Sequence, residues 1–222
     1  MKYFILQSTF ILVVTFSNAQ SKLNDTLIKQ LDIISTDDQT GRVQLESTQY
    51  KYANDTFELK IHLNALWKVI RNKDSINQIK VIAILDKYGW LGPEIIGDDG
   101  NTTLFMVIQH ADQVIQEKYL PMMRGAVKNG KAKARSLAQL EDRVALEQGN
   151  KQIYGSQVAW NMLKNEYTVL PLYDPDNVDK RRAEVGLQPL AIYLSNWQLK
   201  WDIQQYKKDL PSIEAWVKSW RK

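Results

Sequence analysis

A mainly α-helical fold with one inserted β-hairpin is predicted by three observations. Leucine and isoleucine recur at three- and four-residue spacing along most of the chain. Glycines and capping residues cut those runs into helix-length pieces. One stretch alone, "QIYGSQVAWNMLKNEYTVLPLY" (152–173), breaks the period, with β-branched and aromatic residues on both sides of Lys164 and Asn165.

The chain opens with Lys2, an uncharged apolar run from Tyr3 to Phe16, and the small residues Ser17, Asn18 and Ala19. This reads as a signal peptide over residues 1–19, cut after Ala19. The run is shorter than the roughly 20 residues that a membrane-spanning helix needs. No later stretch is long enough to span, so residues 20–222 are expected as one exported, soluble, mainly helical domain, periplasmic or extracellular. The sequence contains no cysteine, which excludes disulfides and a lipid-modified cysteine at the cleavage point.

Leu23, Leu27, Leu31 and Ile34 mark a first amphipathic helix running towards "TDDQTGR", with Gly41 near its end. After a polar interval, Leu59, Leu63, Leu66, Trp67 and Ile70 resume the period. Asp74 and Ser75 offer caps for another helix that Gly89 terminates. "GPEIIGDDGNTT" reads as loop, with Asn101 or Thr102 capping a helix that carries Leu104, Val107, Ile108 and Ala111. Asp112 or Gln113 then caps the next, which closes at Gly130, with Pro121 implying a kink or a boundary. Ser136 and Gln139 form a capping-box pattern ahead of Leu137, Leu140 and Val144, with Gly149 beyond the end.

The hairpin is expected at about residues 156–172, its second strand held to an edge position by Pro171. Asp174 and Pro175 start a short helix that Gly186 ends. The tail is helical with a break near Pro211. Trp197 with Trp201, and Trp216 with Trp220, fall four residues apart and so on one helix face each.

Lysine and arginine total 29 against 25 aspartates and glutamates, and the two signs are interspersed. There is no basic stripe of the kind that nucleic acid binding requires, and "KNGKAKAR" (128–135) reads as a solvated loop.

"YGW" (88–90), "GDDG" (97–100), "QHAD" (109–112), "LEDRV" (140–144), "QIYGSQ" (152–157) and "DPDNVDKRRAEVGLQPL" (174–190) occur in this order. Together they resemble an uncharacterised bacterial family, a domain of unknown function, and "DDQTGR" (37–42) matches its opening. The resemblance covers most of the chain after residue 19, least so from Val43 to Ser75 and in the tryptophan-rich tail. It implies no activity, cofactor or catalytic residue.

Chemistry therefore has to be sought in the residues. His110 lies beside the apolar face of its helix, and a carboxylate partner would bring its imidazole towards the working range of a base. Asp112, about 200° further round an ideal helix, cannot be that partner. A helix junction at "QHAD", near Tyr154 to Gln157, is expected. Arg143 needs an acceptor such as Asp38 or Asp142, and one of Arg181 and Arg182 must turn inward if Val178 and Val185 face the core.

The candidate site is thus His110 as general base, with Arg143, Tyr154, Gln157 and Arg182 as ligand-binding residues for an anion. Asp98 and Asp99 in "GDDGN" do not follow a calcium-loop pattern, and no histidine or cysteine spacing suits zinc, so no metal or other cofactor is implied. Ser156 lacks the context of a hydrolase nucleophile. The two functions in view are a hydrolase-like enzyme and a non-catalytic binding or interaction module of the cell envelope, in which the same residues form a structural network.

Overall fold

Asn24 accepts the Leu27 amide (3.0 Å) and starts α1, Asp25–Lys51. Asp55 caps α2, Thr56–Tyr88, by accepting the amides of Phe57 and Glu58. These contacts come from a computed structural model that describes residues 23–161 and 166–220. The signal peptide expected over residues 1–19 and the turn expected at Lys164 and Asn165 lie outside the described residues.

Helices α1 and α2 lie antiparallel, as the bond from the Asn77 side chain to the Ile34 carbonyl and the approach of Gly41 to Ile70 require; Arg42 pairs with Asp74 and Asp37 with Lys73 between them. The sequence places Gly41 near a helix end and Asp74 at a new cap, yet both are helix-interior. Gly41 is where α1 and α2 touch. A Cβ there would stand 2.6 Å from Cγ1 of the buried Ile70, so glycine permits the close approach and the helix continues through it. Asp74 is drawn across to Arg42 and caps nothing.

Gly89, at φ +70°, ends α2 as expected. Helix α3, Pro93–His110, starts on proline and bends at Gly97 (φ 70°, ψ 169°), so "GPEIIGDDGNTT" is largely helical and not loop. Asn101 is no cap. It is buried and donates to the carbonyls of Leu91 (2.8 Å) and Lys131 (2.7 Å), tying two connections together.

Helix α4 is Gln113–Lys128 and α5 is Ala134–Glu147. Helix α5 starts three residues earlier than the capping-box pattern suggests, with Lys133 at the cap position and Ser136 already inside the helix. Leu31, Ile34, Val81, Leu85, Leu104, Ile108, Tyr119, Met123 and Leu140 make the shared core of α1 to α5.

Strands β1, Val158–Asn161, and β2, Glu166–Val169, pair antiparallel with Val158 opposite Val169. A 3-10 turn, Pro175–Asn177, leads into α6, Val178–Glu184, followed by α7, Leu190–Leu194, and α8, Ile203–Ser219. Leu172, Val178, Leu190, Leu194 and Tyr206 form a second, smaller core. Tyr206 pegs α8 to the end of β2. Its hydroxyl donates to the Leu170 carbonyl (3.0 Å) and accepts the Leu172 amide (2.7 Å).

The expected break at Pro211 is absent, and α4 likewise runs through Pro121. Both prolines are exposed, where the carbonyl freed four residues earlier can face water. Trp216 and Trp220 meet edge-on at 4.7 Å, as their spacing requires. Trp197 and Trp201 do not share a helix face; they pack on Tyr193 and Tyr206 instead. Among the described residues no helix is long and apolar enough to cross a membrane.

Candidate functional site

The end of α3 carries the junction read from "QHAD". The helix stops at His110, and Asp112 caps α4 by accepting the Ile115 amide (3.1 Å). His110 turns back towards α1, where Nδ1 lies 3.0 and 3.1 Å from the two oxygens of Asp38. A carboxylate can only accept here, so Nδ1 carries the proton and Nε2 is left as the basic nitrogen. The His110 side chain keeps 16% of its surface exposed, and Nε2 has no hydrogen bond to any described residue.

Asp38 is 2% exposed and accepts a further bond from the Gln39 amide (2.6 Å), with Arg42 3.4 Å away. Burial alone would raise its pKa. The bond and charge of His110, the charge of Arg42 and the Gln39 amide outweigh that and hold the carboxyl below its ordinary value. Arg42 is itself fixed by a two-pronged bond to Asp74 (2.9 Å each) on α2. Three helices thus fix one imidazole.

A second construction holds "QIYGSQ" against α5. The buried Asp142 accepts the amides of Ile153 (2.6 Å), Tyr154 (2.9 Å) and Ser156 (2.9 Å). Burial pushes its carboxyl above the usual range despite those three donors. From the other side, Arg181 donates to the Ile153 carbonyl (2.9 Å), Arg182 to that of Tyr154 (2.6 Å), and the Tyr193 hydroxyl to that of Ser156 (2.7 Å). Gln152 completes the loop by accepting the Gln157 amide (2.8 Å) and donating to the carbonyls of Gln157 and Leu170. A loop with no ladder of its own is satisfied almost group by group, as buried backbone requires.

The clamp presents Gln157 to a cavity of about 410 Å³, which Arg143, Glu147, Val158, Val217 and Trp220 also line. Arg143 is half-buried. Its Nε is sealed from solvent without a hydrogen-bond partner, and the guanidinium forms no ion pair with any described residue. Burial lowers its pKa, partly offset by the charge of Glu147, and Arg42 is near enough for its charge to act on it. The side-chain amides of Gln109 and Gln157 both approach the Gln139 carbonyl at 3.4 Å. The residue beside His110 and the rim of the cavity therefore meet on one turn of α5.

Of the five predicted site residues, Arg143 and Gln157 share the cavity, whereas His110 is not in its lining and faces Asp38 on α1. Tyr154 offers its backbone to the clamp. Arg182 is 1% exposed, bound to the carbonyls of Tyr154 and Gln188 and lying over the Tyr193 ring at 4.9 Å, so its charge is not open to a ligand. Neither Asp38 nor Asp142 pairs with Arg143, because His110 and the loop amides claim them. Arg42 and Asp74 are the residues that sequence reasoning about the site missed, and Asp38 was considered only as an acceptor for Arg143. The "DDQTGR" match was the one signal for Arg42.

The family model of a family of unknown function, DUF6624, matches residues 26–204, and the chain belongs to that family. No curated protein and no solved structure matches the chain.

Proposed function

We propose that this member of the DUF6624 family is a hydrolytic enzyme in which His110 is the general base and Arg143 holds an anionic part of the substrate. The observation that carries the reading is the Asp38–His110 pair. A buried carboxylate fixes Nδ1–H, and the basic Nε2 is left unbonded on a side chain that still reaches solvent. In that state Nε2 takes a proton from water as the hydroxyl adds to an electrophilic carbon or phosphorus. It returns the proton to the leaving group when the bond breaks. The protein acts outside the cytoplasm, after loss of residues 1–19; mass spectrometry of the exported fraction should find Gln20 as the first residue, and an intact chain in the cytosol would contradict this.

A competing reading is a non-catalytic module of the cell envelope. The clamp favours it, since it accounts for Tyr154 and Arg182 without any chemistry.

Two experiments separate the readings. The chain has only two histidines, so with His62→Gln as the assignment control, long-range nitrogen–proton NMR of His110 should show a protonated Nδ1 and a bare Nε2 near pH 7. The opposite tautomer would remove the base. A panel of chromogenic esters, amides and phosphoesters should give a turnover that His110→Gln lowers by roughly 10²- to 10⁴-fold while the variant remains folded at the assay temperature. A stable variant with full turnover would defeat the enzyme reading.

A further inference from the structure

The cavity beside Arg143 has a wall that the family match does not cover. Helix α8 begins at Ile203, and the match ends at residue 204, yet α8 supplies Val217 and the adjoining Trp220 to the lining. The other walls are the last turn of α5 and the start of β1. About 410 Å³ is within the size range of small-molecule sites, roughly 300–1,000 Å³. Its chemistry is uneven. Val158, Val217 and the Trp220 indole offer apolar and aromatic contact, Gln157 offers an amide, and Arg143 offers a cation that no carboxylate of the described residues neutralises within ion-pair distance.

A half-buried guanidinium is stable only if something accepts its hydrogen bonds, and its planar fork suits a carboxylate. Glu147, one turn along α5 and also in the lining, decides the charge of the occupant. Its carboxylate attracts Arg143 from beyond bonding range and repels a second negative charge on a ligand. A dianion such as a phosphate monoester is disfavoured, and a monoanion is not.

We infer that this cavity binds a small monocarboxylate with an apolar or aromatic body, its carboxylate on Arg143 and its body between β1 and α8. The inference rests on Arg143 as the anion-holding residue of the proposed function, but it does not need His110 to act as a base. The side of the site farthest from the family core is then a specificity wall.

Calorimetric titration of the whole chain with 3-phenylpropionate tests this. Saturable binding is expected, weakened at least tenfold with the neutral 3-phenylpropanamide, and likewise with the dianion phenyl phosphate. Arg143→Gln should weaken it at least tenfold. The arginine has no bonded partner among the described residues, so that variant should melt as the parent does. Val217→Trp, which fills the cavity from α8 and leaves Arg143 in place, should abolish it. No binding to the parent chain, equal binding of the amide or the phosphate, or unchanged binding in both variants would overturn the inference. His110→Gln should bind as the parent does, so binding without turnover counts against the base alone, and turnover without carboxylate binding counts against this cavity alone.

Discussion

Asp142→Ala is expected to lower the unfolding free energy by about 3–5 kcal/mol, read from the midpoint of urea denaturation at pH 7. The carboxylate is wholly buried and accepts the amides of Ile153, Tyr154 and Ser156. Alanine has no acceptor, and each buried amide left unmade costs about 1–3 kcal/mol before relaxation or an entering water recovers part of it. Removing a desolvated charge gives some of that back, which keeps the total below the simple sum. Asp142→Asn should lie between, since its amide oxygen can accept while its NH₂ faces donors. The loss should spread beyond the loop, because Gln157 reaches the Arg143 cavity only while the clamp stands. A loss under about 1 kcal/mol would show that the loop is held mainly from the α6 side.

The clamp also explains what the sequence could and could not disclose. Signals written in a few neighbouring residues were legible. Asp112 caps α4, Gly89 ends α2, and Gly149 and Gly186 adopt the positive φ that their places after helices imply. Signals that depend on a partner far along the chain were not. Gly41 and Asp74 look like helix punctuation, but their roles are set by Ile70 and Arg42, which sequence spacing cannot bring together.

The same limit applied to the site. That one of Arg181 and Arg182 turns inward was legible from Val178 and Val185, whereas the acceptors of Arg182 proved to be backbone carbonyls, which carry no sequence mark. Asp38 was visible as a carboxylate in need of a cation. Its pairing with an imidazole 72 residues away follows only from how α3 returns to α1. Arg143 is the informative failure. The expectation that a core-facing guanidinium needs an acceptor such as a carboxylate is sound physics, and the absence of one among the described residues is what motivates the proposal that Arg143 holds a ligand.

Asp38→Ala is expected to cost about 3 kcal/mol at pH 7 and to remove activity at the same time. The stability loss follows from burial: the Nδ1–H of His110 and the Gln39 amide would lose their acceptor in a site only 2% exposed. Arg42 should stay in place, since its two bonds of 2.9 Å to Asp74 are independent of Asp38, and this keeps the loss from spreading along α1. The pH dependence has a definite sign. The folded-state pKa of Asp38 is depressed from its ordinary 3.8, so its contribution is complete well above that value and is lost as pH falls through 3.8 towards the lower folded value. The stability gap between the parent and Asp38→Asn should therefore be widest near neutrality, begin to narrow as pH falls through 3.8 and close only below the depressed folded-state value, where both carry a neutral group. If the proposed base is correct, turnover in Asp38→Asn should fall by roughly 10²- to 10⁴-fold near pH 7, because the NH₂ of Asn can donate to Nδ1 and so favour the tautomer that protonates Nε2, and the charge that stabilises the imidazolium is lost. Parallel urea titrations from pH 2.5 to 7 and a pH–rate profile of both proteins would decide it. A gap that stays constant across that range would mean that the Asp38 carboxylate is not what holds His110.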